Sequence, residues 1–238
     1  MSHFGLGLIS GFGVPGNDSF TKILMHFEGA NGSTTFTDSN AGGSAHTWST
    51  SGSCALSTSS PKLGVSNLHV STVGITTPNI SEFNLGTSDW TVECWLNFNG
   101  VSGGGFKGIC GQTRASASIS QTGLYVYRDN SNKILAGAYS GTNTWTVTSS
   151  STFATSNWFH FAFVRSGNNL LLFINGTQEG GTLAISGAIN YDSGATFGVG
   201  CVGSSVPGGY NQDVDEFRLS VGIARWTSNF TPPNAPYV

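Results

Sequence analysis

Asp213 and Asp215 are the first residues to weigh for chemistry, because positions two apart on an extended chain project from the same face. Two carboxylates flanking a glycosidic bond are the apparatus of glycoside hydrolysis, and a retaining mechanism sets them about 5–5.5 Å apart. Glu216 alternates to the other face, where it can pair with Arg218, and no further glutamate follows at a useful interval. The segment is therefore expected to carry no catalysis, and no catalytic residue is assigned. No G-x-S-x-G, H-E-x-x-H or phosphate loop occurs. His3, His26, His46, His69 and His160 are scattered, and Cys54, Cys94, Cys110 and Cys201 show no metal-type spacing, so the cysteines read as buried free thiols.

Sugar binding makes a different demand: a ring face for the apolar C–H side of the sugar, with amides and hydroxyls for its OH groups. Trp48, Trp145 and Tyr210 lie in the polar stretches TWSTSG, TNTWTV and PGGYNQD, which makes them the candidate ligand-binding residues. A ring in such a loop serves equally well as an anchor tucked against the core.

The elements that must position these residues are strands. In residues 157–177, Phe159, Phe161 and Phe163 share one face while Trp158, His160, Ala162 and Val164 share the other, so both faces carry bulk. Ser166 to Asn169 turns the chain, 170–174 returns, and Asn175-Gly176 is a second turn dipeptide. Trp90, Val92, Cys94, Leu96 and Phe98 mark another core strand, and 22–28, 106–112, 124–128, 133–139, 145–148, 196–202 and 214–220 read as further ones. Shorter, weaker signals lie at 54–56, 67–73 and 74–77. No useful 3.6-residue pattern occurs, although 221–226 could form one helical turn. About a dozen short strands at 8–12-residue spacing predict an all-β, antiparallel two-sheet sandwich or jelly roll.

Charged residues are 9% of the 238, against about 25% in an average soluble domain. With a net charge of -3 and no Lys or Arg cluster, a nucleic-acid backbone binder is excluded. Residues 1–20 form a Gly-rich stretch bearing Phe4, Leu6, Leu8, Ile9, Phe12 and Val14, which reads as an arm that docks on a partner. It has neither the basic start of a signal peptide nor the length of a membrane span, which predicts synthesis in a cytoplasm and no membrane insertion.

Four segments, HFEGANGSTTFTDSNAGGSAH, SDWTVECWLNF, NWFHFAFVRSGNNLLLFINGTQ and VDEFRLSVGIARWTSNFTPPNAPY, resemble in order and spacing the laminin-G-like, concanavalin A-like jelly rolls. They are most similar to those of phage tail, fibre and other virion proteins, and the resemblance spans 21–237. It implies two packed antiparallel sheets with neighbouring chain ends, and places His160 at a packing position. It also implies a structural Ca²⁺ where the first-strand loop meets the last strand, with Asp38, Asp215 and Glu28 as candidate ligands. Glycanases of this fold carry an E-x-D-x-x-E strand, from which 213–216 departs. The expectation is a non-enzymatic virion protein of the capsid or tail: an arm over 1–20 that attaches to other virion proteins, and a sandwich over 21–238 that offers loops to cell-surface glycans. A secreted or cell-surface adhesin, or a glycan-processing enzyme, is the alternative, and self-association is left open.

Overall fold

A computed structural model describes residues 16–50, 52–100, 106–114, 123–154, 156–203 and 211–238. In chain order the strands are β1 (Thr21–Met25), β2 (Ser49–Thr50), β3 (Cys54–Ser57), β4 (Asn67–Val70), β5 (Ile75–Pro78), β6 (Trp90–Asn97), β7 (Lys107–Thr113) and β8 (Leu124–Arg128). They continue as β9 (Ile134–Tyr139), β10 (Thr144–Thr148), β11 (Phe159–Ser166), β12 (Asn169–Ile174), β13 (Thr177–Ala184), β14 (Thr196–Val199) and β15 (Gln212–Val221). An eight-stranded sheet runs β13-β12-β11-β6-β15-β4-β3, with β1 also paired to β15, and faces a seven-stranded sheet of order β10-β9-β8-β7-β14-β5-β2. Every pairing is antiparallel. The all-β sandwich expected from the strand pattern is the fold.

Between the sheets lies one apolar core, to which β11 contributes Phe159, Phe161 and Phe163 and β6 contributes Trp90, Val92, Cys94 and Leu96. The opposite face of β11 is also buried, but under irregular chain. Ala162 and Val164, with Leu171 and Phe173 of β12, are covered by Ala224, Trp226 and Phe230 of the C-terminal segment. The turn after β12 anchors that segment. Asn175 and Gly176 both take positive φ, the backbone N–H of Phe230 donates to Gly176 O at 2.9 Å, and a Cβ at Gly176 would sit 1.8 Å from Phe230 O. Residues 221–226 form no helical turn, and the helix observed among the described residues is a 3-10 turn, Ser81–Phe83.

The C-terminal segment is fastened again at Glu93, which is fully buried. Its carboxylate accepts from Arg218 Nη2 at 2.5 Å, Trp226 Nε1 at 2.7 Å and Tyr237 OH at 3.0 Å. Burial alone would raise the Glu93 pKa; Arg218, His160 and Trp226 overcome it and hold the carboxyl well below the usual carboxylate range. Arg218 therefore pairs with Glu93 and not with Glu216 as the sequence spacing suggests.

The cause is a bulge in β15, where the register slips between Asp215 and Arg218 and Glu216 takes φ +48°. Glu216 accepts instead from the backbone N–H of Tyr237 and contacts His26 Nδ1 at 2.9 Å. The Glu216 hydrogen bond raises the His26 pKa above the ordinary histidine value, against the opposing pull of burial. A raised histidine pKa contributes stability that is complete below the unfolded value of about 6.5 and disappears as pH rises through the folded value. Melting temperatures of the wild type are expected to fall across that window relative to a His26→Gln variant; parallel profiles would remove the pair from the account.

All four cysteines are free and buried, as expected. The described part of the N-terminal arm is tied to the sandwich: the backbone N–H groups of Gly16 and Asn17 donate to Val238 O at 3.1 Å, and Asp18 pairs with Arg225 at 2.7 Å. The apolar residues of 1–15 that suggest docking lie outside the described residues.

Candidate functional site

Beyond the C-terminal cover, one end of the same outer sheet face is open. The register puts Asn97 of β6 opposite Asp213 of β15, and Asp213 opposite His69 of β4, so three polar side chains stand side by side across three strands. Their neighbours Leu96, Val214 and Leu68 point the other way, into the core. Asp213 Oδ1 lies 2.6 Å from His69 Nδ1, and its Oδ2 accepts from Asn99 Nδ2 at 2.9 Å. Asn99, at φ +46°, is positioned by its backbone N–H donating to Asn97 Oδ1 at 2.9 Å. The carboxylate thus fixes one imidazole nitrogen and leaves the ring edge, 34% exposed, toward the opening.

These residues line a cleft of about 630 Å³. The other wall is Trp158, just before β11, with hydroxyls from Ser57, Ser59, Ser60 and Ser156 around the rim. The indole is half-buried and its Nε1–H donates to Ser60 O at 3.2 Å, which fixes the ring plane and ties β11 to the loop after β3. A smaller cavity of about 200 Å³, lined by Phe153 and Asn175 among others, also meets Trp158. The cleft brings a ring, amides, hydroxyls and one carboxylate together from strands and the loops that join them, the equipment for orienting a polyhydroxylated ligand.

A laminin-G-type family profile, described as the concanavalin A-like lectin/glucanases superfamily, matches residues 71–221. The chain belongs to this superfamily. Among solved structures, this concanavalin A-like chain is similar to the binding domain of Paraclostridial Mosquitocidal Protein 1, at TM-score 0.64 and 11% identity over 86% of this chain and 49% of that one. It is also similar to the binding domain of botulinum neurotoxin DC in complex with SialylT, at TM-score 0.61 and 12% identity over 84% and 47%. The same neurotoxin domain in complex with rat synaptotagmin II aligns at TM-score 0.62 and 11% identity over 86% and 49%. The chain spans about half the length of these structures, and at such identities the likeness is one of fold. No curated protein matches the sequence.

Within this concanavalin A-like sandwich the rings singled out from the sequence fall elsewhere. Trp48 is 6% exposed and belongs to the core, so it anchors its loop and cannot stack on a ligand. Trp145 is half-buried against the core at the edge strand β10. Both rings gain more from leaving water than a polar loop could offer them in it. Tyr210 lies outside the described residues.

The three carboxylates proposed for calcium are each engaged by N–H donors. Asp215, with no solvent exposure, accepts from the backbone N–H groups of Lys62 and Leu63, both at 2.9 Å, and from that of Glu216. Burial raises its pKa and these donors oppose the rise. Glu28 accepts from the backbone N–H of Val65, so Glu28 and Asp215 brace the same loop. Asp38 faces elsewhere, accepting from Leu24 N at 2.9 Å and meeting His46 Nδ1 at 2.6 Å. Among the described residues no group of three His, Cys, Asp or Glu side chains gathers where a metal ion could be held. This donor set does not fit Ca²⁺, which needs six to eight free oxygens converging on one point.

Sequence reasoning missed the cleft. It weighed Asp213 only as half of a hydrolytic pair and Trp158 only as packing; the signal available was the two together with His69, with Asp213 and His69 on outer-face positions of strands and Trp158 at the entry to β11.

Proposed function

We propose that this chain is a non-enzymatic glycan-binding domain displayed on a phage particle, which takes a sugar in the cleft between Trp158 and the Asn97, Asp213 and His69 row. The observation that carries the reading is the cleft itself, where an indole faces a fixed set of hydrogen-bonding groups. Fold relatives lend support: one was solved in complex with SialylT, and cell entry of another, botulinum neurotoxin type C, is dependent upon interaction with two ganglioside molecules. Against hydrolysis stands the carboxylate inventory. Asp213 is the one carboxylate among the described residues lining the cleft, whereas glycoside cleavage by the two-carboxylate route needs a pair. Asp215 is sealed behind the 62–65 loop and Glu93 beneath the C-terminal segment. The virion setting is supported by the low charge and by the apolar side chains of the arm, which would meet other virion proteins.

A glycan array run beside a reducing-sugar assay tests the biochemical half. Binding without release of reducing ends is expected; release would make the protein an enzyme, and silence in both would end the glycan reading. Recovery of the chain from purified particles at fixed copy number is expected for the virion half, and its absence from them would remove it.

A further inference from the structure

We infer that the cleft selects uncharged sugars and rejects glycans ending in sialic acid, sulfate or a uronic acid; this rests on the glycan reading above. Asp213 supplies the negative charge of the wall, held in place by His69 and Asn99. The protein has nine lysines and arginines, and none of them lines the cleft. Lys62, on the loop that borders it, is engaged with the Trp95 ring, its Nζ 4.0 Å from the centroid, and is not part of the lining. Arg218 is committed to Glu93, and Arg114 to Asp192. The other ionisable side chain of the lining is His69, whose Nδ1 lies against Asp213 Oδ1 at 2.6 Å and helps to hold that carboxylate in place.

A carboxylate or sulfate entering the cleft would therefore lose water without meeting a cation and would face a fixed like charge, a penalty that discriminates between partners more than it weakens the favoured one. Neutral sugars meet no such penalty. Their hydroxyls can donate to Asp213, which keeps unused lone pairs, and accept from Asn97 and the serines, while a C–H face lies on Trp158.

The test is an array carrying each neutral terminal sugar beside its sialylated, sulfated and uronic-acid counterparts, probed with the full chain, its Asp213→Asn variant and its Ser59→Lys variant. Ser59 is exposed at the rim and its backbone N–H donates to Ser57 Oγ at 3.2 Å, a bond the substitution keeps, so the lysine adds a cation without disturbing the fold. Neutral members should bind on the order of tenfold or more tightly than their anionic partners. Ser59→Lys should narrow that gap, as should Asp213→Asn where it remains folded. Equal binding of anionic and neutral partners by the wild type would overturn the inference and leave glycan binding standing, as would a gap that Ser59→Lys leaves unchanged. Binding of neither class would overturn both.

Discussion

Glu93→Ala should lower the free energy of unfolding by about 3–5 kcal/mol, measured by urea denaturation, the range for removing one partner of a buried ion pair. Glu93 is fully buried and Arg218 is 2% exposed, so alanine leaves a guanidinium without a counter-charge inside the protein. It also orphans Trp226 Nε1–H and Tyr237 OH, which both donate to the lost carboxylate, and such unsatisfied donors each cost about 1–3 kcal/mol. Tyr237 keeps a stacking contact, since the Arg218 guanidinium lies 3.6 Å from its ring centroid. Two further variants separate charge from packing. Glu93→Gln retains an acceptor and should lose less, and pairing Glu93→Met with Arg218→Met removes both charges and should regain much of the deficit. The C-terminal segment should become protease-sensitive in Glu93→Ala first, because Trp226 and Tyr237 lose their hydrogen bonds to the sheet and the segment keeps only ties such as those of Arg225 and Phe230. A loss below about 1 kcal/mol, the scale of an exposed ion pair, would mean that the cluster is solvated and the segment is held without it.

The hairpin β11 to β12 was legible because its alternation is strict and its turn residues are informative: Phe159, Phe161 and Phe163 face the core and Asn175-Gly176 turns. Strand β13 was not legible. Gln178, Glu179, Gly180 and Gly181 carry no apolar alternation, and the strand exists as an edge held by pairing to β12. The cover over the outer face of β11 was not legible for a related reason: bulk on both faces says that something covers each face, not whether the cover is a sheet or the last fifteen residues. The bulge at Glu216 leaves no mark in sequence either, since a non-glycine residue at positive φ looks like any other glutamate. The pairings that hold Asp213 in the cleft are long-range. Asp213 and His69 are 144 residues apart and Asp213 and Asn99 are 114 apart, and only the order β11-β6-β15-β4 places them beside Trp158. Periodicity reports which face a residue occupies; it does not report which strands are neighbours.

Trp158→Ala should weaken binding of whichever neutral glycan the array identifies by about 10- to 100-fold, or about 1.4–2.8 kcal/mol, the range for losing a central aromatic contact. The substitution should leave the fold intact, because Trp158 precedes β11, is half-buried and stands apart from the Ala162 and Val164 cluster that the C-terminal segment covers. Trp158→Phe keeps a ring face but loses the N–H that donates to Ser60 O, so it should retain most of the affinity if stacking dominates. Trp48→Ala supplies the opposite control. Its ring lies in the core, so about 3–5 kcal/mol of stability should be lost while affinity, measured where the protein remains folded, stays within about twofold. The two tryptophans thus answer different questions with the same truncation, one through affinity and the other through stability. If Trp158→Ala bound as tightly as the wild type, the ligand would have to sit on another surface. The open end of the β11-β6-β15-β4 face would then be a solvated gap left where the C-terminal cover stops.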